Sequence, residues 1–199
     1  LTNAPAFQAL QTQVNNSAVG TNLLYGTSEF NPWTGSFGFS NHELGELICS
    51  IEKDSDGDTA WHLSGTATTS GIIGIYNNQY LSKCPTDYAC SASVKGTFAN
   101  STVNKFQIEN STVIDSYSPL TTEYSRWYSK GHGITGNLGA ICIYFNVVSG
   151  DTIDIWVKHW KLENGLVATD WCPNPTEILT QSDYAKIKAA IVALGGSLS

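Results

Sequence analysis

Short stretches of alternating side chains limit what this chain of 199 residues can fold into. Successive side chains of a β-strand point to opposite faces of the sheet, so apolar residues at every second position indicate a strand with one buried face. Stretches of this kind recur along the chain, and runs rich in Gly, Asn, Asp and Ser separate them. They occupy residues 47–51, 60–67, 72–76, 92–98, 103–108, 122–129, 140–148 and 152–160. This spacing predicts an all-β protein that forms a sandwich of two sheets.

The composition of the chain narrows the class of its partners. Charged residues make up only 14% of the sequence, and the net charge is −7. A surface with this charge repels the phosphates of nucleic acids and gives no reason to expect binding to an anionic membrane. No apolar run approaches the roughly 20 residues of a membrane-spanning helix. We therefore expect neither a nucleic acid nor a membrane as a partner.

The predicted strands place one β domain at residues 21–176, between two shorter segments. We interpret residues 1–20 as a connector, because Phe7, Leu10 and Val14 repeat at the spacing of one face of a short helix. We interpret residues 177–199 as a helix or linker, with Ser182 as a suitable N-cap. The whole is expected to be one module of a longer protein.

The stretch that closes the β domain contains its most informative motif. Residues 161–175 read K-L-E-N-G-L-V-A-T-D-W-C-P-N-P. Asn164-Gly165 favours a turn, because both residues tolerate positive φ. Trp171 is large enough to hold a terminal segment on a sheet, and the prolines that follow it end regular strand pairing.

This ending resembles the K-L-E-x-G … A-T-D-W-x-P-x-P ending of modules in tail and host-recognition proteins of phages that infect lactic acid bacteria. Residues 22–24 with Phe30 and Trp33 resemble the N-L-L … F … W opening of those modules, and residues 90–96 resemble their S-x-x-V-K-G strand. The resemblance implies a jelly-roll sandwich similar to carbohydrate-binding modules, of the kind found in evolved distal tail proteins.

The same resemblance implies a function and a place of action. It implies non-catalytic binding of a host cell-wall polysaccharide during adsorption, in the phage tail or baseplate of the virion, beside other tail proteins. The alternative is a structural module that assembles or spaces the tail without binding sugar. A glycan-degrading enzyme is the third alternative, and it requires two carboxylates about 5–9.5 Å apart in a cleft. No catalytic motif occurs in the sequence, so we expect no enzyme activity.

The aromatic content supports the carbohydrate hypothesis, because six Trp and nine Tyr exceed what a core of this size needs. The apolar faces of sugars stack on aromatic rings, and Asn and Asp bind their hydroxyls. Tyr144 and Asn146 alternate with apolar residues in one strand, as Asp154, Trp156 and Trp160 do in the next. If these strands pair directly, Tyr144 lies opposite Trp156, whereas jelly rolls often send consecutive strands to opposite sheets. A bulge would return Trp160 to the core.

A second group of candidates lies in the strand at residues 122–129. Trp127 is expected to face the core, which leaves Tyr124, Arg126 and Tyr128 on the outer face. The loop at residues 76–80, rich in amides and tyrosine, is a further source of sugar contacts. The predicted carbohydrate-binding residues are Trp156, Tyr144, Asn146, Asp154, Trp160, Tyr124, Tyr128 and Arg126.

Metal and disulfide signals in the sequence are weak. Asp54, Asp56 and Asp58 do not fit a calcium-binding loop, because the required Gly and Glu positions are occupied by other residues, and we interpret them as an Asp-Gly turn. We predict no metal ligands and no cofactor, with a structural calcium at Glu29 or Asp170 as a minor alternative. Five cysteines argue against a complete disulfide framework, and the redox state of Cys84 and Cys90 stays open.

Overall fold

The structure is a computed structural model that describes residues 20–30, 37–40, 47–78, 86–133 and 139–175, together with Lys186 and Ala189. It confirms all eight predicted strands and adds two that lack clear alternation, β1 and β7. The strands are β1 (Phe37–Ser40), β2 (Ile48–Lys53), β3 (Thr59–Thr66), β4 (Gly71–Asn77), β5 (Asp87–Thr97), β6 (Thr102–Ile108), β7 (Thr112–Tyr117), β8 (Ser125–His132), β9 (Ile141–Val147) and β10 (Thr152–Asn164). The expected connector and C-terminal helix fall almost entirely outside the described residues.

In the described part of the chain, the strands form two antiparallel sheets, which confirms the predicted β-sandwich. The strand order is β1-β4-β9-β6 in the four-stranded sheet and β2-β3-β10-β5-β8-β7 in the six-stranded sheet. Large rings from the two inner faces meet in the core. Phe106 and Phe145 of the smaller sheet contact Trp127 of the larger one at ring-centroid distances of 6.3 and 6.2 Å.

The chain crosses between the sheets from β9 to β10. β9 pairs with β4 and β6, whereas β10 pairs with β3 and β5. The carboxylate of Asp151 holds this crossing, because it accepts hydrogen bonds from the amides of Ala99, Asn100 and Ser101 and from the Ser101 hydroxyl. The alternative in which Tyr144 lies opposite Trp156 is therefore wrong, because these residues belong to opposite sheets.

A β-bulge in β10 reverses the faces of its last residues. The register shifts between Lys158 and Lys161, and His159 adopts a φ of 56°. Beyond the bulge, Trp160 turns inward and is 0% exposed, with its ring 5.8 Å from that of Phe37. Trp160 is therefore a core residue, as the bulge alternative predicted. Its prediction as a sugar-binding residue is wrong, because its buried ring cannot reach a ligand at the surface.

The same bulge turns the charged pair Lys161 and Glu163 toward the terminal segments. The Lys161 ammonium is fully buried and donates hydrogen bonds to the carbonyls of Gly20 and Asp170 and to the hydroxyl of Thr169, at 2.6–2.9 Å. It also lies 3.3 Å from the carboxylate of Glu163, which is buried as well. That carboxylate accepts hydrogen bonds from the amide and hydroxyl of Thr169, so each charge has several partners.

Asn22 completes this arrangement from the N-terminal side. Its amide nitrogen donates to the carbonyls of Trp160 and Cys172, and its amide oxygen accepts from the amides of Leu24 and Leu162. Asn174 in turn donates to the Asn22 carbonyl at 2.8 Å. We call the set Asn22, Lys161, Glu163, Thr169 and Asn174 the terminal clasp. The opening and closing motifs of the sequence therefore meet in space and join both ends of the domain to β10.

Removing the cation of the clasp tests its contribution to stability. We expect Lys161→Met to lower the free energy of unfolding by about 3–5 kcal/mol, because it leaves the Glu163 carboxylate buried without its counter-ion. Urea denaturation followed by circular dichroism measures this change. The double variant Lys161→Met, Glu163→Leu should recover part of the loss.

Lys130→Met is the matched control for this prediction. Lys130 pairs with Asp115 at 3.0 Å on the surface, where an ion pair contributes up to about 1 kcal/mol. Equal losses of stability for the two lysine variants would contradict the importance of the clasp.

Candidate functional site

The outer face of the four-stranded sheet carries two of the predicted residues, Tyr144 and Asn146. Cross-strand register places Tyr144 beside Gly74 on β4 and Lys105 on β6, and Asn146 beside Thr102 on β6. Tyr76 lies on the same face, two residues along β4 from Gly74. We call the set Tyr76, Asn104, Lys105, Tyr144 and Asn146 the tyrosine face.

Each of the two tyrosine rings contacts a glycine on the neighbouring strand. A β-carbon added at Gly38 would stand 2.3 Å from Cζ of Tyr76, and one added at Gly74 would stand 2.8 Å from Cδ1 of Tyr144. Glycine at position 38 therefore leaves the space that the distal end of the Tyr76 ring occupies, whereas a β-carbon at position 74 would first meet the carbonyl oxygen of Ile143, at 2.0 Å. Both tyrosines are half-buried, so part of each ring is accessible to solvent.

Two amides stand beside the rings because β6 contains a bulge. The register of β6 shifts between Val103 and Lys105, and the intervening Asn104 turns its side chain toward β9. Its amide nitrogen donates to Oδ1 of Asn146 at 2.8 Å, and Asn146 donates in turn to the Thr102 hydroxyl at 3.4 Å. This pair keeps amide donors and acceptors at the surface, next to aromatic rings.

The tyrosine face carries little net charge. The Lys105 ammonium lies 5.6 Å from the centroid of the Tyr144 ring, and Glu109 lies 3.6 Å from the same ammonium. The opposite charges of Lys105 and Glu109 offset each other, so the surface around the rings is close to neutral. Flat rings, amides and low charge are the features expected of a surface that binds uncharged polyols.

The outer face of the six-stranded sheet carries Trp156 and Asp154. The Trp156 ring stacks on the imidazole of His62 at a centroid distance of 3.8 Å, and its Nε1 donates to the Asp154 carboxylate at 3.0 Å. Lys95 approaches the same ring at 5.6 Å and the Tyr124 ring at 4.6 Å. The aromatic and polar groups of Trp156 are therefore already engaged with residues of the protein itself.

Tyr124 packs against the acidic turn between β2 and β3. Lys158 places its ammonium 2.6–2.9 Å from the carboxylates of Asp54, Asp56 and Asp58 and 4.2 Å from the centroid of the Tyr124 ring. Burial and the neighbouring Asp54 carboxylate raise the pKa of the Tyr124 phenol. Tyr124 thus forms one side of a partly exposed ionic cluster, in which Lys158 and Asp54 are buried and Asp56 and Asp58 reach solvent.

The three carboxylates of this turn are the one group with metal-ligand geometry in the described part of the chain. The Asp54 carboxylate also accepts hydrogen bonds from the amides of Asp56 and Asp58, which confirms the Asp-Gly turn. Because the Lys158 ammonium lies among all three carboxylates, the donor set does not fit a metal ion. Glu29 and Asp170 belong to no comparable group among the residues described.

Arg126 and Tyr128 occupy the outer face of β8, as predicted. Arg126 donates hydrogen bonds to the Ser91 hydroxyl at 2.5 Å and to the Thr169 carbonyl at 2.6 Å, and burial lowers the pKa of its guanidinium. It therefore binds the C-terminal segment. Tyr128 stacks on Tyr117 at 6.0 Å, far along the sheet from Trp156.

The sequence thus predicted the correct face for most candidates, but the structure distributes them over two opposite surfaces. Tyr144 and Asn146 lie on one surface, and Trp156, Asp154 and Tyr124 lie on the other. Asn104 and Lys105 were missed, because their place beside Tyr144 depends on a bulge and on strand register. Of the loop at residues 76–80, Tyr76 joins the tyrosine face, while residues 79 and 80 lie outside the described residues, as does Cys84.

Neither a scan against models of protein families nor a search of curated proteins finds a match to this chain. Among the described residues, there is no helix with the length and hydropathy needed to cross a membrane.

Acid titration tests the ionic cluster around Lys158. Burial alone would raise the pKa of Asp54, but the Lys158 ammonium, the adjacent Tyr124 hydroxyl and the Asp56 amide outweigh it and lower this pKa to about 2. A carboxylate whose pKa is lowered by folding stabilises the protein above its ordinary pKa and loses that effect as the pH falls.

We therefore expect Asp54→Asn to destabilise the protein by a constant amount above pH 5. The difference from wild type should shrink as the pH falls from about 4 toward 2, measured by urea denaturation at each pH. Asp115→Asn, which removes a carboxylate from an exposed ion pair, is the control and should cost much less at neutral pH. A difference for Asp54→Asn that grows on acidification would contradict this account.

Proposed function

We propose that this chain is a non-catalytic carbohydrate-binding module and that the tyrosine face is its binding surface. The observation that carries the proposal is the pair of partly exposed rings on this face, Tyr76, whose ring lies over Gly38, and Tyr144, whose ring contacts Gly74. A pyranose ring stacks best on an aromatic ring whose plane follows the surface, because its apolar C–H face then covers the ring.

The neighbours of the two rings support an uncharged ligand. Asn104 and Asn146 offer amide donors and acceptors at the edge of the rings, where sugar hydroxyls would project. Lys105 is balanced by Glu109, so the face offers no excess of positive charge for a phosphate or carboxylate. The ligand class that fits is a neutral oligosaccharide or a neutral stretch of a polysaccharide.

The outer face of the six-stranded sheet around Trp156 supports sugar binding less well. His62 covers one face of the indole, and Asp154 already accepts the hydrogen bond of its Nε1. A sugar stacked on that face of the indole would have to displace the imidazole, whose nitrogens lie 2.7 and 2.8 Å from the carboxylates of Glu52 and Asp154. The cost of breaking those contacts favours the tyrosine face.

The resemblance of the terminal motifs supplies the biological context of the proposal. It supports a jelly-roll domain in a phage tail or baseplate protein that binds the cell-wall polysaccharide of a lactic acid bacterium during adsorption. The terminal clasp gives those motifs a structural role, since their residues join the ends of the domain. A symmetric assembly would present several copies of the module, so that weak binding at each site still gives a stable attachment.

An assembly module is the second candidate, and one feature favours it. Between the edge strands β1 and β2 lies a groove of about 310 Å³, lined mainly by apolar residues. On β2, Ile48 is 63% exposed and Ile51 is 44% exposed, which is high for large aliphatic side chains. An apolar edge of this kind suits contact with another tail protein. The residues that line the groove are Phe30, Phe37, Gly38, Phe39, Cys49, Ser50, Ile51 and Trp61.

Substitution of the two rings tests the carbohydrate proposal. We expect Tyr144→Ala and Tyr76→Ala each to weaken binding to purified wall polysaccharide by at least about tenfold, as loss of a central aromatic contact does in other interfaces. A fluorescent fusion of this chain, titrated on cells of lactic acid bacteria and on their purified polysaccharide, measures the change.

Two variants serve as controls in the same assay. Tyr117→Ala removes a 53% exposed tyrosine on β7 and should leave binding unchanged. Trp156→Ala should also retain binding, provided that circular dichroism shows an intact fold. Binding that survives both tyrosine substitutions and is lost with Trp156→Ala would move the site to the six-stranded sheet. Absence of binding to every tested strain and polysaccharide would favour the assembly module.

A further inference from the structure

One charged side chain lies among the four described strands of the smaller sheet. The sequences of β1, β4, β6 and β9 contain no Asp, Glu or Arg, and Lys105 on β6 is their one lysine. Its ammonium lies 5.6 Å from the centroid of the Tyr144 ring, at the edge of the sheet that β6 forms. The charge of the tyrosine face therefore depends largely on what neutralises this single cation.

The counter-ion of Lys105 is Glu109, in the turn that follows β6. The Glu109 carboxylate lies 3.6 Å from the Lys105 ammonium. Alternate side chains of an extended chain share a face, so Lys105, Gln107 and Glu109 all belong to the outer face, while Ile108 between them is buried in the core. The ion pair thus runs along the β6 border of the tyrosine face.

The backbone around Glu109 is held in place by residues just before β9. The Glu109 amide donates to the Ala140 carbonyl at 2.9 Å, and the Gly139 amide donates to the Glu109 carbonyl at 3.0 Å. These bonds extend the pairing of β6 with β9 beyond Ile108. A β-carbon at Gly139 would overlap Cβ of Glu109, so glycine permits this close approach. Glu109 therefore projects from a fixed point beside the face.

Folding stability gives little reason for this ion pair. The side chains of Lys105 and Glu109 are 34% and 31% exposed, and pairs that reach solvent contribute little to the stability of a fold. Their position matters more to a ligand at Tyr144. An ammonium without a counter-ion beside the ring would attract the carboxylate or phosphate of an acidic sugar, and a binding site gains specificity when such an attraction is cancelled.

We propose that Glu109 is a specificity-determining residue, which restricts the tyrosine face to uncharged sugars by neutralising Lys105. This inference rests on the proposed function, because it concerns the ligand of the same surface. With Glu109 in place, an acidic sugar over Tyr144 meets attraction from Lys105 and repulsion from Glu109. Without that carboxylate, the ammonium pairs with the acidic group of the ligand. Loss of Glu109 should therefore shift the preference of the face toward acidic sugars.

The test uses one set of sugars in a neutral and an acidic form. Neutral oligosaccharides from the purified wall polysaccharide are isolated by anion exchange, and part of the sample is oxidised at its primary hydroxyls to carboxylates. Calorimetric titration at low salt gives the ratio of the two dissociation constants for each protein. We expect Glu109→Gln to shift this ratio about two- to fivefold in favour of the acidic form, the range of one surface ion pair. Lys105→Gln should shift it in the opposite direction.

Two further variants make the test specific. Asp115→Asn removes one negative charge from an exposed pair with Lys130 on the six-stranded sheet, so it matches the change in net charge and should leave the ratio unchanged. The double variant Lys105→Gln, Glu109→Gln should restore the ratio of wild type, because it removes both members of the pair. High salt should reduce the shift seen with Glu109→Gln.

The outcomes separate this inference from the function on which it rests. An unchanged ratio in Glu109→Gln, an equal shift in Asp115→Asn, or a preference of wild type for the acidic form would overturn the role of Glu109. Each of these results leaves sugar binding by the tyrosine face intact. Failure of wild type to bind either form would instead contradict the proposed function, and the role of Glu109 would fall with it.

Discussion

The bulge in β10 is the feature on which the rest of this structure depends. One extra residue between Lys158 and Lys161 reverses the alternation of the strand. Before the bulge, the side chains of Trp156 and Lys158 lie on the outer side of the sheet, where Lys158 pairs with the three carboxylates of the acidic turn. After the bulge, Trp160 fills the core, and Lys161 and Glu163 turn toward the terminal segments. Because these buried charges accept and donate many hydrogen bonds, the same strand packs the interior and secures both ends of the domain.

The two outer surfaces of the sandwich differ in the charged groups that surround their aromatic rings. On the six-stranded sheet, carboxylates, lysines, His62 and aromatic rings form a continuous set of internal contacts, so an external ligand must compete with them. On the four-stranded sheet, amides stand beside two partly exposed tyrosine rings, and the charges of Lys105 and Glu109 offset each other. Gly38 contributes to this surface, since a larger residue there would displace the ring of Tyr76.

Local periodicity explains how much of this could be predicted from sequence. Alternation located eight strands and the inward turn of Trp127, because each strand buries one face. β7 escaped notice because nearly all of it is exposed, which removes the alternation, and β1 because only Phe37–Ser40 form it. The pairing of strands could not be deduced from the sequence, because the position of Tyr144 relative to Trp156 depends on the sheet to which each strand belongs. For the same reason, the contact of Lys158 with an acidic turn about 100 residues earlier could not be foreseen.

The central claim is that the four-stranded sheet, rather than the six-stranded one, presents the sugar-binding surface. Titration of the isotope-labelled protein with oligosaccharides from the wall polysaccharide, followed by amide chemical shifts, tests this claim most directly. The account predicts that the shifts concentrate in β4, β6 and β9 around Tyr76 and Tyr144 and leave β3, β5 and β10 unchanged. Shifts that instead follow His62, Lys95 and Trp156 across the larger sheet would contradict it.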